Sequence, residues 1–285
     1  MIRGFGSLSD NPILKSFIIK AHKLAISHTF GIHTSKLLGD GYEFCEIREY
    51  QSGDDAKKID WVQSTKASKP MVKAFHKSQD QNIVIVALMN GSLWFGTDEF
   101  KNELLTQLAI NLSTIALYNN DSFSLYIAND KIEQITKQTK ERKSIFSLAK
   151  KLYLYNCLNK SLNYNYIINT IAKIIKQKSV IILLGDFLNI NDLNLSPLNR
   201  HDIKVGIIRD KFEENPLFNG NLSLLDNTSN NYIHAHISKI QTNNYANNIY
   251  KNDQLLYKQL NKFGISWAKF YTNEDTIKPL KELLK

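Results

Sequence analysis

The chain of 285 residues is too long for a fold held by disulfide or metal staples, and its 43% hydrophobic and 11% aromatic content excludes wholesale disorder. A formal charge of +9, from 36 Lys+Arg against 27 Asp+Glu, favours acidic partners. Arg, the side chain that nucleic-acid recognition favours, is nevertheless confined to Arg3, Arg48, Arg142, Arg200 and Arg209. Two distant cysteines, Cys45 and Cys157, exclude a metal knuckle and imply a reducing compartment. No apolar run approaches the ~20 residues of a membrane-spanning helix, and the first residues lack a signal-peptide core. The expectation is therefore a soluble, cytoplasmic chain with no membrane span.

In chain order, Pro12 to Ser27 places Ile13, Phe17, Ile18 and Ala21 at helical spacing, with Asp10 as N-cap. Gly31 to Lys77 has a different texture, rich in Gly, charge and aromatics, and predicts short strands (EFCEIREY, then MVKAFH) around a polar loop and a helical turn. Ile83–Met89 and Val180–Leu184 are continuous apolar runs, as in strands buried on both faces. Helical spacing returns at Glu99–Tyr118, Lys140–Leu154, Tyr166–Gln177 and Asn243–Phe263. Strands are predicted at Ser122–Ala128, Ile203–Ile208 and Ile265–Phe270, with a hairpin over Asn221–Leu225 and Tyr232–Ile237. Strands alternating with helices imply βαβ crossovers and a mostly parallel sheet covered on both faces. The class is α/β, divided as a helix and β-rich module over 1–80 and a main domain over 81–285.

The stretch from Gly39 to Phe75 carries Gly39, Gly41, Glu43 and Phe44, then Arg48, Glu49, Tyr50, Gly53, Asp54 and Asp55, then Lys58, Ile59, Asp60 and Trp61. This pattern resembles the signature of the bacterial domain-of-unknown-function 58 family. The likeness continues through Phe95-Gly96, Gly185-Asp186-Phe187 and Arg200-His201-Asp202. It implies a von Willebrand factor A-like (Rossmann-like) domain after the signature module. It also implies a chaperone-like or adaptor role beside a MoxR-type AAA+ ATPase and other von Willebrand factor A proteins, with no enzymatic activity.

In such a domain the first loop supplies an acid and two hydroxyls to Mg²⁺ at the carboxyl ends of the strands. The corresponding positions here are Leu88, Asn90 and Ser92, and Asp186 is the carboxylate still placed to reach the site. One Asp, one Ser and an amide lack the charge that offsets dehydration of the ion. No cofactor is expected, Mg²⁺ is disfavoured, and Asn90, Ser92 and Asp186 line a protein-binding crevice.

The signature residues Gly41, Glu43, Arg48, Glu49, Tyr50, Gly53, Asp54, Asp55, Asp60 and Trp61 form the second expected protein-binding surface. Arg48 is expected to pair with Asp54 or Asp60, and Asp54 or Asp55 to cap the turn near Ala56. Trp61, Trp94 and Trp267 are read as core plugs, Cys45 as a small buried filler, and His234 and His236 as residues of a solvated hairpin. Two rival readings remain: a nucleic-acid-binding protein, from the charge, and a metal-dependent hydrolase using the acidic loop 43–60.

Overall fold

The computed structural model describes residues 12–32, 42–77, 80–190, 193–229 and 231–285. Asp10, His33, Gly39 and Gly41 lie outside them, as do the side chains of Glu43, Phe44, Cys45, Phe75 and His76. The chain divides into two units: Phe30–Asp80, and Met1–Thr29 together with Gln81–Lys285.

In the smaller unit β1 (Tyr42–Glu49) pairs antiparallel with β2 (Met71–Lys77), and a 3-10 turn (Ala56–Lys58) and helix α2 (Trp61–Ala67) lie between them in sequence. The sequence predicts only a turn at this point. Asp60 makes the difference, because its carboxylate accepts the Val62 and Gln63 amides at 3.0 and 3.1 Å and so starts a helix too short to show periodicity.

In the larger unit a six-stranded sheet runs in the order β10-β7-β6-β3-β4-β5. Its strands are β3 (Asn82–Leu88), β4 (Ser122–Ala128), β5 (Ile132–Thr139), β6 (Val180–Gly185), β7 (Asp202–Arg209) and β10 (Ser266–Tyr271). All neighbours are parallel except β5, which returns antiparallel along β4 at the edge. The helices are α1 (Pro12–Ile32), α3 (Lys101–Tyr118), α4 (Lys143–Tyr153), α5 (Tyr164–Ile174), α6 (Lys211–Glu214), α7 (Lys239–Lys262) and α8 (Ile277–Leu283). The hairpin of β8 (Gly220–Leu225) and β9 (Tyr232–Ile237) precedes α7.

The uninterrupted apolar runs of β3 and β6 have their physical reason in two cores. Ile85, Ala87, Met89, Ile182 and Leu184 pack with α1, α3, α4 and α8 on one face. Val84, Val86, Leu88, Ile181 and Leu183 pack with α5 and α7 on the other. This is the α/β, doubly wound architecture expected from the alternation of elements. The first helix differs from its expected place in a 1–80 module. Leu14, Phe17, Ala21, Leu24 and Ala25 of α1 are buried in the core of the larger unit.

Candidate functional site

Sheet order reverses between β3 and β6, and an open α/β sheet forms a crevice at the carboxyl ends of its strands at such a point. A cleft of about 350 Å³ lies there, lined in part by Asn90, Ser92, Tyr164, Asp186, Asn189 and Thr228. The three crevice residues expected from sequence are thus brought together.

β3 hands over to a 3-10 turn, Gly91–Leu93, for which Asn90 is the N-cap residue without a capping bond from its side chain. The Asn90 Oδ1 is buried and has no hydrogen-bond partner among the described residues. Gly91 is required because a Cβ there would collide with the carbonyl of Asn227. Asn159 N–H donates to that same carbonyl at 2.9 Å, and Asn227 Nδ2 donates to Trp94 O at 3.1 Å. The turn of the β8–β9 hairpin is thereby fastened to the first loop and supplies a wall of the cleft.

The second loop, Gly185-Asp186-Phe187, is equally constrained. A Cβ at Gly185 would sit 2.9 Å from that of Leu88, the last residue of β3 and a core side chain. Phe187 adopts a left-handed backbone (φ 50°) and is fully buried, stacked 5.9 Å from Tyr164. Between them Asp186 is 1% exposed, accepts a hydrogen bond from the Ser92 hydroxyl, and lies 3.3 Å from the Lys101 ammonium. Burial alone pushes its carboxyl up, but Lys101, Ser92 and Arg209 outweigh that and hold it below the usual carboxylate range. Asp186 is therefore ionised.

Lys101, with no exposed surface, also contacts both oxygens of Glu213 at 2.6 and 2.7 Å. Burial raises the Glu213 carboxyl above its ordinary value despite Lys101, and Asp186 adds to the rise. The fully buried Arg209 donates to the Asp186 carbonyl, reaches Asp253 of α7 at 2.5 Å, and lies 3.4 Å from Glu214. Lys269 completes the network at 2.7 Å from both Glu214 and Asp253. Sequence reasoning missed Lys101, Arg209, Glu213 and Asp253. The one available signal was that Lys101 and Glu103 are the only charged residues of an otherwise uncharged eighteen-residue helix.

The signature residues are occupied with their own loop. Arg48 forms a two-bond pair with Asp54 at 2.7 and 2.8 Å, which selects Asp54 over Asp60. The same pair first, then the Gln51 amide, holds the Asp54 carboxyl below its usual range. Asp55 caps the 3-10 turn through Lys57 N–H at 3.0 Å, while Asp60 caps α2 and pairs with Lys73 at 3.1 Å. Gly53 takes φ +108°, a conformation side chains rarely adopt. Glu49 lies 3.5 Å from Lys69. Trp61 corrects an expectation: its side chain is 71% exposed, beside an exposed Val62, and is no core plug. Trp94 and Trp267 do pack against the two cores. His234 and His236 are exposed on the hairpin and bond to Ser223 and Asn221. Burial pushes the Cys157 thiol up to about 12, which leaves it an inert core side chain.

The residues at the crevice do not fit a divalent cation. Leu88 stands in the core, and the Oδ2 of Asp186 is already engaged by both Ser92 and Lys101.

Among curated proteins, the chain is 34% identical over 67 residues to an uncharacterized protein of Mycobacterium tuberculosis and to one of Mycobacterium bovis. These matches cover 24% of this chain and 21% of each relative, so the chain spans about a fifth of the length of those relatives. Among solved structures, it is similar to the conserved hypothetical protein BatB from Bacteroides thetaiotaomicron, at 11% identity and TM-score 0.44, covering 72% of this chain and 97% of that one. An aerotolerance-related membrane protein from Bacteroides fragilis aligns at 12% identity and TM-score 0.40, covering 72% and 99%. An uncharacterized membrane spanning protein from Vibrio fischeri aligns at 11% identity and TM-score 0.26, covering 65% and 98%.

The expected cytoplasmic setting is corrected to no assignment of compartment; two of the similar chains are themselves described as membrane proteins. The physical reason is that lack of an apolar run excludes a spanning helix within a sequence without placing it in a compartment. Among the described residues no helix is long and apolar enough to cross a membrane, which is as far as that observation goes. The model for the protein of unknown function DUF58 matches residues 46–254, nearly three quarters of the chain, and the chain belongs to that family.

Proposed function

We propose that this chain is a non-enzymatic protein-binding module that receives its partner at the switch-point crevice. The partner is a MoxR-type AAA+ ATPase, in a chaperone-like or complex-assembly role. The choice of ATPase, and of other von Willebrand factor A proteins as further partners, follows from the family resemblance. The choice of surface rests on one observation: the cleft has a polar lining, in which the half-buried Asn90 side chain makes no capping bond to its own loop. A partner group that bonds to the part of this side chain facing the cleft gains a hydrogen bond without taking one from the fold. The charged groups beside the cleft support binding over catalysis, because Asp186, Lys101 and Glu213 are committed to one another. The exposed Trp61 and Val62 offer a second contact on the smaller unit.

The test is affinity capture of the tagged protein from its own cells, at moderate salt and after nuclease, with Asn90→Ala alongside. Asn90 makes no capping bond, so its truncation leaves the fold intact. An AAA+ ATPase is expected, bound about fivefold more weakly by the variant, the equivalent of one hydrogen bond of ~1 kcal/mol. Equal recovery by both proteins would remove the crevice from the interface. Loss of every partner after nuclease, with nucleic acid in the untreated sample, would support the reading drawn from the charge of +9.

A further inference from the structure

A divalent cation at the switch point is what the resemblance to von Willebrand factor A domains implies, and this chain answers the requirement differently. Lys101 opens α3, and its side chain turns inward although lysine is almost never fully buried without a partner. Its Nζ lies 2.6 and 2.7 Å from the two oxygens of Glu213, 3.3 Å from Asp186 Oδ2, and 6.0 Å from the centre of the Phe95 ring. Ser92 donates to the same Asp186 oxygen. One hydroxyl and two carboxylates, brought together from β3's loop, β6's loop and α6, are the hard oxygen donors that a small divalent ion takes. Here an ammonium faces both carboxylates at hydrogen-bond and ion-pair distances. A second cation beside it would meet like charge in a site with almost no water to screen it.

We infer that Lys101 is a tethered replacement for the divalent ion: its ammonium holds the cation's place beside Ser92 and Asp186, and the crevice is indifferent to Mg²⁺ and Mn²⁺. The replacement differs from an ion in two ways. It cannot dissociate, and it carries one charge, with the second carboxylate moderated by burial and by the Arg209 guanidinium nearby. The floor of the crevice is therefore always in its assembled state. This concerns the floor alone and holds whichever partner the crevice receives, so its failure and that of the adaptor reading are separable.

The experiment is Mn²⁺ titration of the purified full chain by calorimetry and by melting temperature, alongside Asp186→Asn, Lys101→Ala, Lys101→Gln and each Lys101 variant combined with Asp186→Asn. The unaltered chain should show no saturable binding up to about 5 mM, far above the affinity range of dedicated carboxylate sites. Lys101→Ala frees the oxygen donors and should bind Mn²⁺ with a Kd below about 1 mM and gain about 5 °C on saturation. Both effects should vanish when Asp186→Asn is added. Lys101→Gln carries the test if the alanine variant does not fold. Saturable binding by the unaltered chain that Asp186→Asn abolishes overturns the inference on its own. A folded Lys101→Ala or Lys101→Gln that binds Mn²⁺ no better than the unaltered chain overturns it equally.

Discussion

Asp186 and His201 are both buried and titratable, and their neighbours fix opposite consequences for them. Asp186 stays charged because cations outweigh its burial. His201 stays neutral because burial, and then the charge of Arg200, lower its pKa below 6.5. Arg200 Nε–H donates to His201 Nε2 at 2.9 Å, and its guanidinium reaches the carbonyls of Ala172, in the last turn of α5, and of Ile175 just after it. With a depressed pKa the native state binds fewer protons than the unfolded chain does. The His201 contribution to stability is therefore complete above about pH 6.5 and is lost as pH falls through that value. Carboxylates with lowered pKa values lose theirs only below ~4, a separate window. His201→Gln should flatten the fall in urea stability between about pH 7 and 5. An unchanged slope would show that another group governs that window.

The same residues mark what a sequence reveals of a site. Asn90, Ser92 and Asp186 were legible because each follows a strand whose apolar run announces it. Lys101 and Glu213 were not, because each stands among residues that say nothing of a partner about a hundred positions away. Lysine at the start of a helix is ordinarily solvated, and only packing of α3 against the sheet shows this one to be enclosed.

At the scale of elements, buried strands and helices were legible and the exceptions share one cause. β5 reads IEQITKQT and sits at the sheet edge with half its side chains exposed and only one buried, so it carries no apolar run and was not anticipated. α2 is likewise short, with no buried residues, and depends on one cap. Its two neighbouring signature residues should therefore behave oppositely. Asp60→Ala removes the cap and the Lys73 pair and should lower amide protection across α2 and the β1–β2 hairpin in hydrogen exchange. Trp61→Ala should leave that protection unchanged while weakening partner capture. Loss of protection in Trp61→Ala would make the indole structural after all. The β8–β9 hairpin has a double position: its turn walls the polar cleft, while Leu222 and Ile237 line an open apolar pocket of about 310 Å³ together with Phe95, Phe212 and Tyr245.

For the whole molecule, the division of the chain is the feature the sequence concealed. Helical spacing identified α1 but could not assign it across fifty residues of different texture to the core it completes. Leu14, Phe17, Leu24 and two alanines of α1 bury apolar surface there, roughly 5 kcal/mol or more at 1.5–3 kcal/mol for each large side chain. A chain beginning at Gln81 should melt about 10–20 °C lower than the full protein or fail to unfold cooperatively. A chain with 33–79 replaced by a flexible linker should keep most of the original melting temperature. Equal melting of the two would return α1 to the smaller unit.

The fastening of Asn227 across Gly91 also sets a timetable. The floor of the crevice uses residues from 90 to 213, its wall needs the turn near 227, and Arg209 finds Asp253 only in α7. A ribosome that has made every strand of the sheet but the last has still not finished the cleft. Whatever binds there meets a complete surface only once α7 has been made, so a growing chain presents the fold's core before it presents its recognition site.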